Sequence, residues 1–262
     1  MTLTARIEAL TGSRVARIRA LHGGDLSEVA HLTLADGREY ACKTGPMVAV
    51  EARMLEAIGD TAPAPRFVAG DLLLIDYLPE EPATPAHWRD LGRALRAQHD
   101  REGEAFGWPD AYAFGPVAIP NDPAPDWPSF WAERRLCPSL PFLPPDLAKR
   151  IEVLIATLPD RLPDLRPSLL HGDLWTGNVH FSGGRAWLID PACYYGHGEV
   201  DLAMLHLFGS PPAAFWDGYG ATEPGYDERQ PIYQLWPALV HYRLFGSGYA
   251  GMVERLLSAA GA

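Results

Sequence analysis

One short stretch constrains this chain more than any other. LHGDLWTGN (170–178) places a carboxylate, Asp173, and an amide, Asn178, five residues apart. An apolar run at 186–189 follows, and Asp190 ends it twelve residues beyond Asn178. A loop followed by a buried strand brings these three side chains to one place. The trio suits phosphoryl transfer. One Asp orients an attacking hydroxyl and takes its proton, while the Asn and the other Asp hold the magnesium that bridges the phosphates. Mg²⁺ takes one or two protein oxygens and completes its shell with phosphate and water. Each residue alone reads as a turn or a cap. Spacing and strand context together favour the chemistry.

The N-terminal part supplies a matching half. VARIRAL (15–21) and EVAHLTL (28–34) suit strands, Asp36-Gly37 is a hairpin signal, and 38–43 follows as a third strand of a meander. A helix is expected over 49–58, with Val50, Met54, Ala57 and Ile58 on one face and Gly59 at its end. Strands at 66–69 and 72–75 come next. Gly23 and Gly24 lie in the first turn, where a bare backbone can approach phosphates, and Ser27 can donate to them. Lys43 ends the third strand and Glu51 sits on the helix after it. Such a pair can hold the α- and β-phosphates, and Lys43 is the only lysine before Lys149. Asp76, Tyr77 and Leu78 fall where two lobes would meet, with main chain available to an adenine. Pro79 and Glu80-Glu81 then mark a boundary between a lobe at 1–80 and one at 81–262. The second lobe reads as mostly helical, at 88–99 and 147–158, around an aperiodic stretch at 103–130. Six aromatic residues in that stretch argue against disorder and for function.

Charge and composition remove some partners. Lys and Arg total 22 against 33 Asp and Glu, a net charge of −11, and no basic run or stripe offers a footprint for nucleic acid. No apolar run approaches the roughly 18 residues of a membrane span, and the N-terminus has no signal-peptide core. Three isolated cysteines form neither a metal pair nor a disulfide framework, which fits a reducing, cytoplasmic compartment. Monomer and dimer stay open. Trp175, beside Asp173, can pack on the C–H face of a sugar or on an amine cation, or it can serve the core. Glu199 can meet a substrate amine or form a structural ion pair. His197 and Glu199 have no third metal ligand at suitable spacing. Trp127, Phe130 and Trp131 read as core or as a cleft wall, and His22, His31, His87 and His241 as surface or satisfied core.

HGDLWTGN (171–178), IDPACYYGHGEVDLAMLHLFG (189–209) and YQLWPALVHYRLFGSGY (233–249) together resemble the fructosamine kinase (ketosamine-3-kinase) family. GGDLSEV (23–29), Lys43, DWPSFWAERRL (126–136) and PGYDERQPIYQLW (224–236) extend the likeness to nearly the whole chain. The resemblance implies an α+β, two-lobed protein-kinase-like fold of the aminoglycoside-phosphotransferase branch. It implies an ATP- and Mg²⁺-dependent kinase acting on a sugar hydroxyl of a ketoamine. Under it Asp173 is the catalytic base, Asn178 and Asp190 are metal ligands, and Lys43 with Glu51 anchors phosphate. Gly23, Gly24 and Ser27 cover the phosphates, and Asp201 braces the catalytic loop. Asp25 stands where many relatives carry Cys, so dimerisation through a loop disulfide is not expected. Gly198 replaces a usual basic residue, and GPVAIPN (115–121) lacks a Gln-x-Asn pattern. The competing readings are a choline- or aminoglycoside-type phosphotransferase and a non-catalytic nucleotide-binding module.

Overall fold

The structure is a computed structural model that describes residues 2–21 and 28–262. It opens with α1 (Leu3–Thr11), β1 (Val15–Ala20), β2 (Glu28–Leu34) and β3 (Glu39–Thr44). After α2 (Val48–Ile58) come β4 (Pro65–Ala69) and β5 (Leu72–Asp76). The five strands form one antiparallel sheet in the order β1-β2-β3-β5-β4. The Asp36-Gly37 turn sets the β2–β3 register: Gly37 takes φ 87° and its N–H donates to the Leu34 carbonyl at 3.0 Å. Lys43 is thereby paired with Val29 on one side and Leu73 on the other. On α2, Val48, Ala52, Met54, Leu55 and Ile58 are buried, and Glu51 is carried inward with them.

The sequence reading assigned no element to 2–12, yet α1 forms there. Its apolar signal is thin, because only Ile7 and Thr11 are buried. Its ends are defined instead by local chemistry. The Thr2 hydroxyl accepts from the Ala5 N–H at 3.3 Å, and Gly12 closes the helix at φ 69°.

The rest of the chain is mainly helical. α3 (Pro85–His99) is followed by a small hairpin, β6 (Tyr112–Phe114) and β7 (Val117–Ile119), then α4 (Trp127–Phe130) and α5 (Pro145–Arg161). β8 (Ser168–Leu170), β9 (Val179–Ser182), β10 (Arg185–Leu188) and β11 (Tyr194–Gly196) pair as β8–β11 and β9–β10. α6 (Glu199–Leu205), α7 (Ala213–Tyr219), α8 (Tyr226–Phe245) and α9 (Ala250–Ala259) complete it. α3 and α5 begin earlier than the apolar period indicates, each with proline in the first turn, where its missing N–H costs nothing. The stretch 103–130 is ordered. Isolated bridges tie Glu102 to Ser168 and Gly107 to Tyr195, and Trp127, Phe130 and Trp131 are buried core. One apolar cluster joins α2 and β5 to α3, β8 and β10, so sheet and helices share buried surface where the cleft lies. Among the described residues no helix is long and apolar enough to cross a membrane.

Candidate active site

β8 delivers the chain into the 171–178 loop, and one buried carboxylate fixes the loop's backbone. Asp201, on α6, is fully buried and accepts from the His171 N–H at 2.7 Å and the Gly172 N–H at 2.9 Å. His99, at the end of α3, lies 3.0 Å from the same carboxylate through Nε2, and its Nδ1 meets the Tyr219 hydroxyl at 2.9 Å. The bracing role expected of Asp201 has this geometry. His99 was not anticipated, because its partner lies 102 residues away. His171 is itself buried. Its Nε2 donates to the Ile189 carbonyl at 2.9 Å while Nδ1 receives the Asp173 N–H at 3.3 Å. Burial pushes its basicity down, in keeping with a neutral ring carrying one proton.

Asp173 emerges from this frame into the cleft. The Asn178 amide donates to the Asp173 carbonyl at 2.8 Å and to its Oδ2 at 3.1 Å, which turns the Asn178 Oδ1 away from that contact. Burial pushes the Asp173 carboxyl up to about 7; the Asn178 hydrogen bond opposes this, and the carboxylates of Asp190 and Asp201 add to it. A base with affinity near neutrality suits proton transfer at physiological pH. Asp190 is the one non-glycine described residue with positive φ, 56°, an uncommon backbone state that clusters at functional sites.

Lys43, on β3, reaches both α2 and the turn after β10. Its ammonium contacts both Glu51 and Asp190, and it is 2% exposed. Burial alone would favour the neutral amine, but the two carboxylates outweigh it and hold Lys43 protonated. The eight-residue separation of Lys43 and Glu51 is therefore no obstacle to the pair.

These groups line one cleft of about 1050 Å³. Asp76, Tyr77 and Leu78 lie on its rim. The Asp76 carboxylate is turned to Arg66 (2.6 and 2.8 Å), Tyr77 stacks on His31 at 3.7 Å, and the Leu78 carbonyl receives His180 Nε2 at 2.9 Å. Trp175 is 40% exposed and lies over Gly177, where a Cβ would come within 2.2 Å of its ring. Gly23, Gly24 and Ser27 lie outside the described residues, as does Asp25.

Of the two readings of Glu199, the structure has the ion pair. It is buried, it does not line the cleft, and Arg229 takes both carboxylate oxygens at 2.7 and 2.6 Å. His197 and Glu199 do gain a third neighbour that spacing did not reveal: Glu223 brings the three ligand atoms within 4.8 Å of one another. Arg229 already holds Glu199, and Tyr233 already meets His197 Nδ1 at 2.8 Å, so the group reads first as a structural network. Tyr112 and Phe114 of the aperiodic stretch, and His241 of α8, also line the cleft and were missed. Six aromatics in 103–130 were the available signal for the first two. Nothing in the sequence set His241 apart.

Comparison with known proteins places the chain in a family. The chain is 35% identical to a probable ketoamine kinase of Synechocystis sp., over 98% of this chain and 95% of that one. A crystal structure from Thermobifida fusca, given the provisional name fructosamine-3-kinase, superposes with a TM-score of 0.91 at 32% identity, covering 99% of this chain and 98% of that one. A thermostable mutant of the aminoglycoside phosphotransferase APH(4)-Ia superposes at 0.68 and 16% identity, over 99% of this chain and 100% of that one, a likeness of fold alone. The α+β, kinase-like fold is thus shared widely, whereas the sequence match is narrow. The sequence model of fructosamine kinases matches residues 2–260, and this chain, a kinase, belongs to the fructosamine kinase family.

Proposed function

We propose that the protein transfers the γ-phosphoryl group of ATP to a sugar hydroxyl of a small ketoamine. The observation that carries this reading is the meeting of Asp173, Asn178, Asp190 and the Lys43–Glu51 pair in one cleft. Asp173 receives the hydroxyl, aligns it with the phosphorus and accepts its proton. Orientation of this kind supplies about 7–11 kcal/mol of barrier reduction and general-base help about 10²–10⁴-fold. Lys43, held by Glu51, places a positive charge against the phosphates. Asn178 Oδ1 and the Asp190 carboxylate are hard oxygen donors of the kind Mg²⁺ takes, and they fit it as ligands. When bound, that ion supplies charge neutralisation between the phosphates. Gly23, Gly24 and Ser27 are proposed to cover the phosphates, and the main chain at Asp76, Tyr77 and Leu78 to meet the adenine. Residues 1–80 then form the nucleotide lobe and 81–262 the catalytic lobe, in a cytoplasmic enzyme.

The test is ADP release against fructosyl-, ribulosyl- and erythrulosyl-amines, beside choline and aminoglycosides, with a no-acceptor blank. Turnover is expected with at least one ketoamine, and Asp173→Asn should lower kcat by about 10²–10⁴-fold while KM for ATP stays within about threefold. Release of ADP with aminoglycosides or choline alone, or an unimpaired Asp173→Asn enzyme, would sink the proposal.

A further inference from the structure

The cleft changes character beyond Asp173 and Trp175. Its phosphate side carries Lys43, Glu51 and Asp190. Every described residue that 200–249 contributes to the lining is apolar or aromatic, with His241 the sole imidazole, and none is Lys, Arg, Asp or Glu. Here Phe208, His241, Phe245 and Tyr249 form a ring cluster. The His241 centroid lies 5.0 Å from Phe208, 5.6 Å from Phe245 and 5.1 Å from Tyr249. His241 Nδ1 donates to the Pro237 carbonyl at 2.8 Å, which fixes the ring plane. Phe208 is 42% exposed and Phe245 50% exposed, so apolar surface stands open at the mouth of the same cleft that holds Asp173.

With a sugar hydroxyl at Asp173 and the nucleotide at Lys43, the ring-lined half is the part of the cleft left for the amine substituent of a ketoamine. We infer that the ring-lined half is the subsite for that substituent and that it selects ketoamines of small, uncharged, apolar amines, aromatic ones above all. The inference rests on the ketoamine-kinase reading. A carboxylate or ammonium carried on the substituent sheds water on entering this half and meets no Lys, Arg, Asp or Glu among the described residues that 200–249 contributes to the lining. An aromatic ring replaces water on the faces and edges of four rings, which a single methylene chain covers less well.

The test compares ribulosylated benzylamine, ribulosylated glycine and a ribulosylated lysine in a short peptide, by kcat/KM from ADP release. The benzylamine compound is expected to exceed the glycine compound by about 10–200-fold, the range one hydrophobic group gives in a pocket, with the peptide between them. Phe208→Ala and Phe245→Ala should each shrink the benzylamine-to-glycine ratio to under about threefold, through KM for the benzylamine compound. Val153→Ala, on the exposed face of α5, should leave the ratio as in the wild type, and melting curves check that each variant is folded. A wild-type ratio near one, or a ratio that Phe245→Ala leaves intact, overturns the inference while ketoamine kinase activity stands. A peptide that matches or beats benzylamine assigns the subsite to protein-bound ketoamines and overturns it too. So does inhibition that grows with enzyme concentration and is relieved by Phe245→Ala, which would seat a second copy on the patch. Phosphorylation of none of the three removes the ketoamine reading and the subsite with it.

Discussion

Asp173 sits where desolvation works against its own charge. Its carboxyl holds a proton up to about 7 in the fold, against an ordinary value of 3.8. Between those values the folded chain binds more protons than the unfolded one, so this residue makes stability fall as pH rises. Below 3.8 the penalty is absent, and above 7 it is complete. Asp173→Asn should therefore raise the melting temperature of nucleotide-free protein at pH 8, by a gain that shrinks through the window from about 7 to 4. A gain that is independent of pH, or a loss at pH 8, would contradict the raised carboxyl. Asp173, Asn178 and Asp190 were legible in the sequence because a local spacing carries them. Asp201 was legible through the family resemblance alone. His99 and His241 were not legible, because what each does depends on a partner or a cleft wall assembled by the fold. For Glu199 an ion pair was one of two readings, but nothing local named Arg229, thirty residues later, as the partner that takes both its oxygens.

Elements follow the same division. β2, β3, α2 and β5 were readable from alternation, a hairpin turn and a helical face, and their observed ends differ from the expected ones by at most one residue. α1 was not, since two buried residues give no period. The hairpin of β6 and β7 was not either: each strand has three residues, too short for alternation to register. The element that decides the site is the turn leaving β8. Gly172 has φ 81°, and a Cβ there would lie 2.0 Å from the Ala192 carbonyl oxygen, a backbone atom that cannot swing aside. Gly183, between β9 and β10, has φ 60° with nothing within 4 Å. The two positions separate dihedral strain from steric conflict. Gly183→Ala should cost about 1–2 kcal/mol, the ordinary penalty of a left-handed residue. Gly172→Ala carries that penalty and the clash as well, and should cost at least about 3 kcal/mol and lower kcat by moving Asp173. Denaturant melts measure both, and equal losses would show that the approach to Ala192 is not a constraint.

At the scale of the molecule, a net charge of −11 faces an anionic co-substrate. The charge first reads as an exclusion of nucleic acid, and the cleft explains why it need not exclude ATP. Lys43 is buried and fixed by two carboxylates, so its field acts at contact range where solvent does not screen it. Exposed ion pairs such as Arg53–Asp110 and Arg89–Asp217 lie in solvent, where charges farther apart than a Debye length of about 10 Å at 0.1 M salt scarcely interact. The two views make opposite predictions. If the overall charge repels the nucleotide, added salt weakens the repulsion and KM for ATP falls steeply. If the cleft governs binding, KM for ATP should change by less than about twofold between about 50 and 300 mM NaCl at constant free Mg²⁺. Lys43→Met should instead raise KM for ATP several-fold at both salt concentrations, since it removes the local charge and leaves Glu51 and Asp190 facing the phosphates unpaired. A steep salt dependence in the wild type that Lys43→Met leaves unaltered would return control of nucleotide binding to the surface charge.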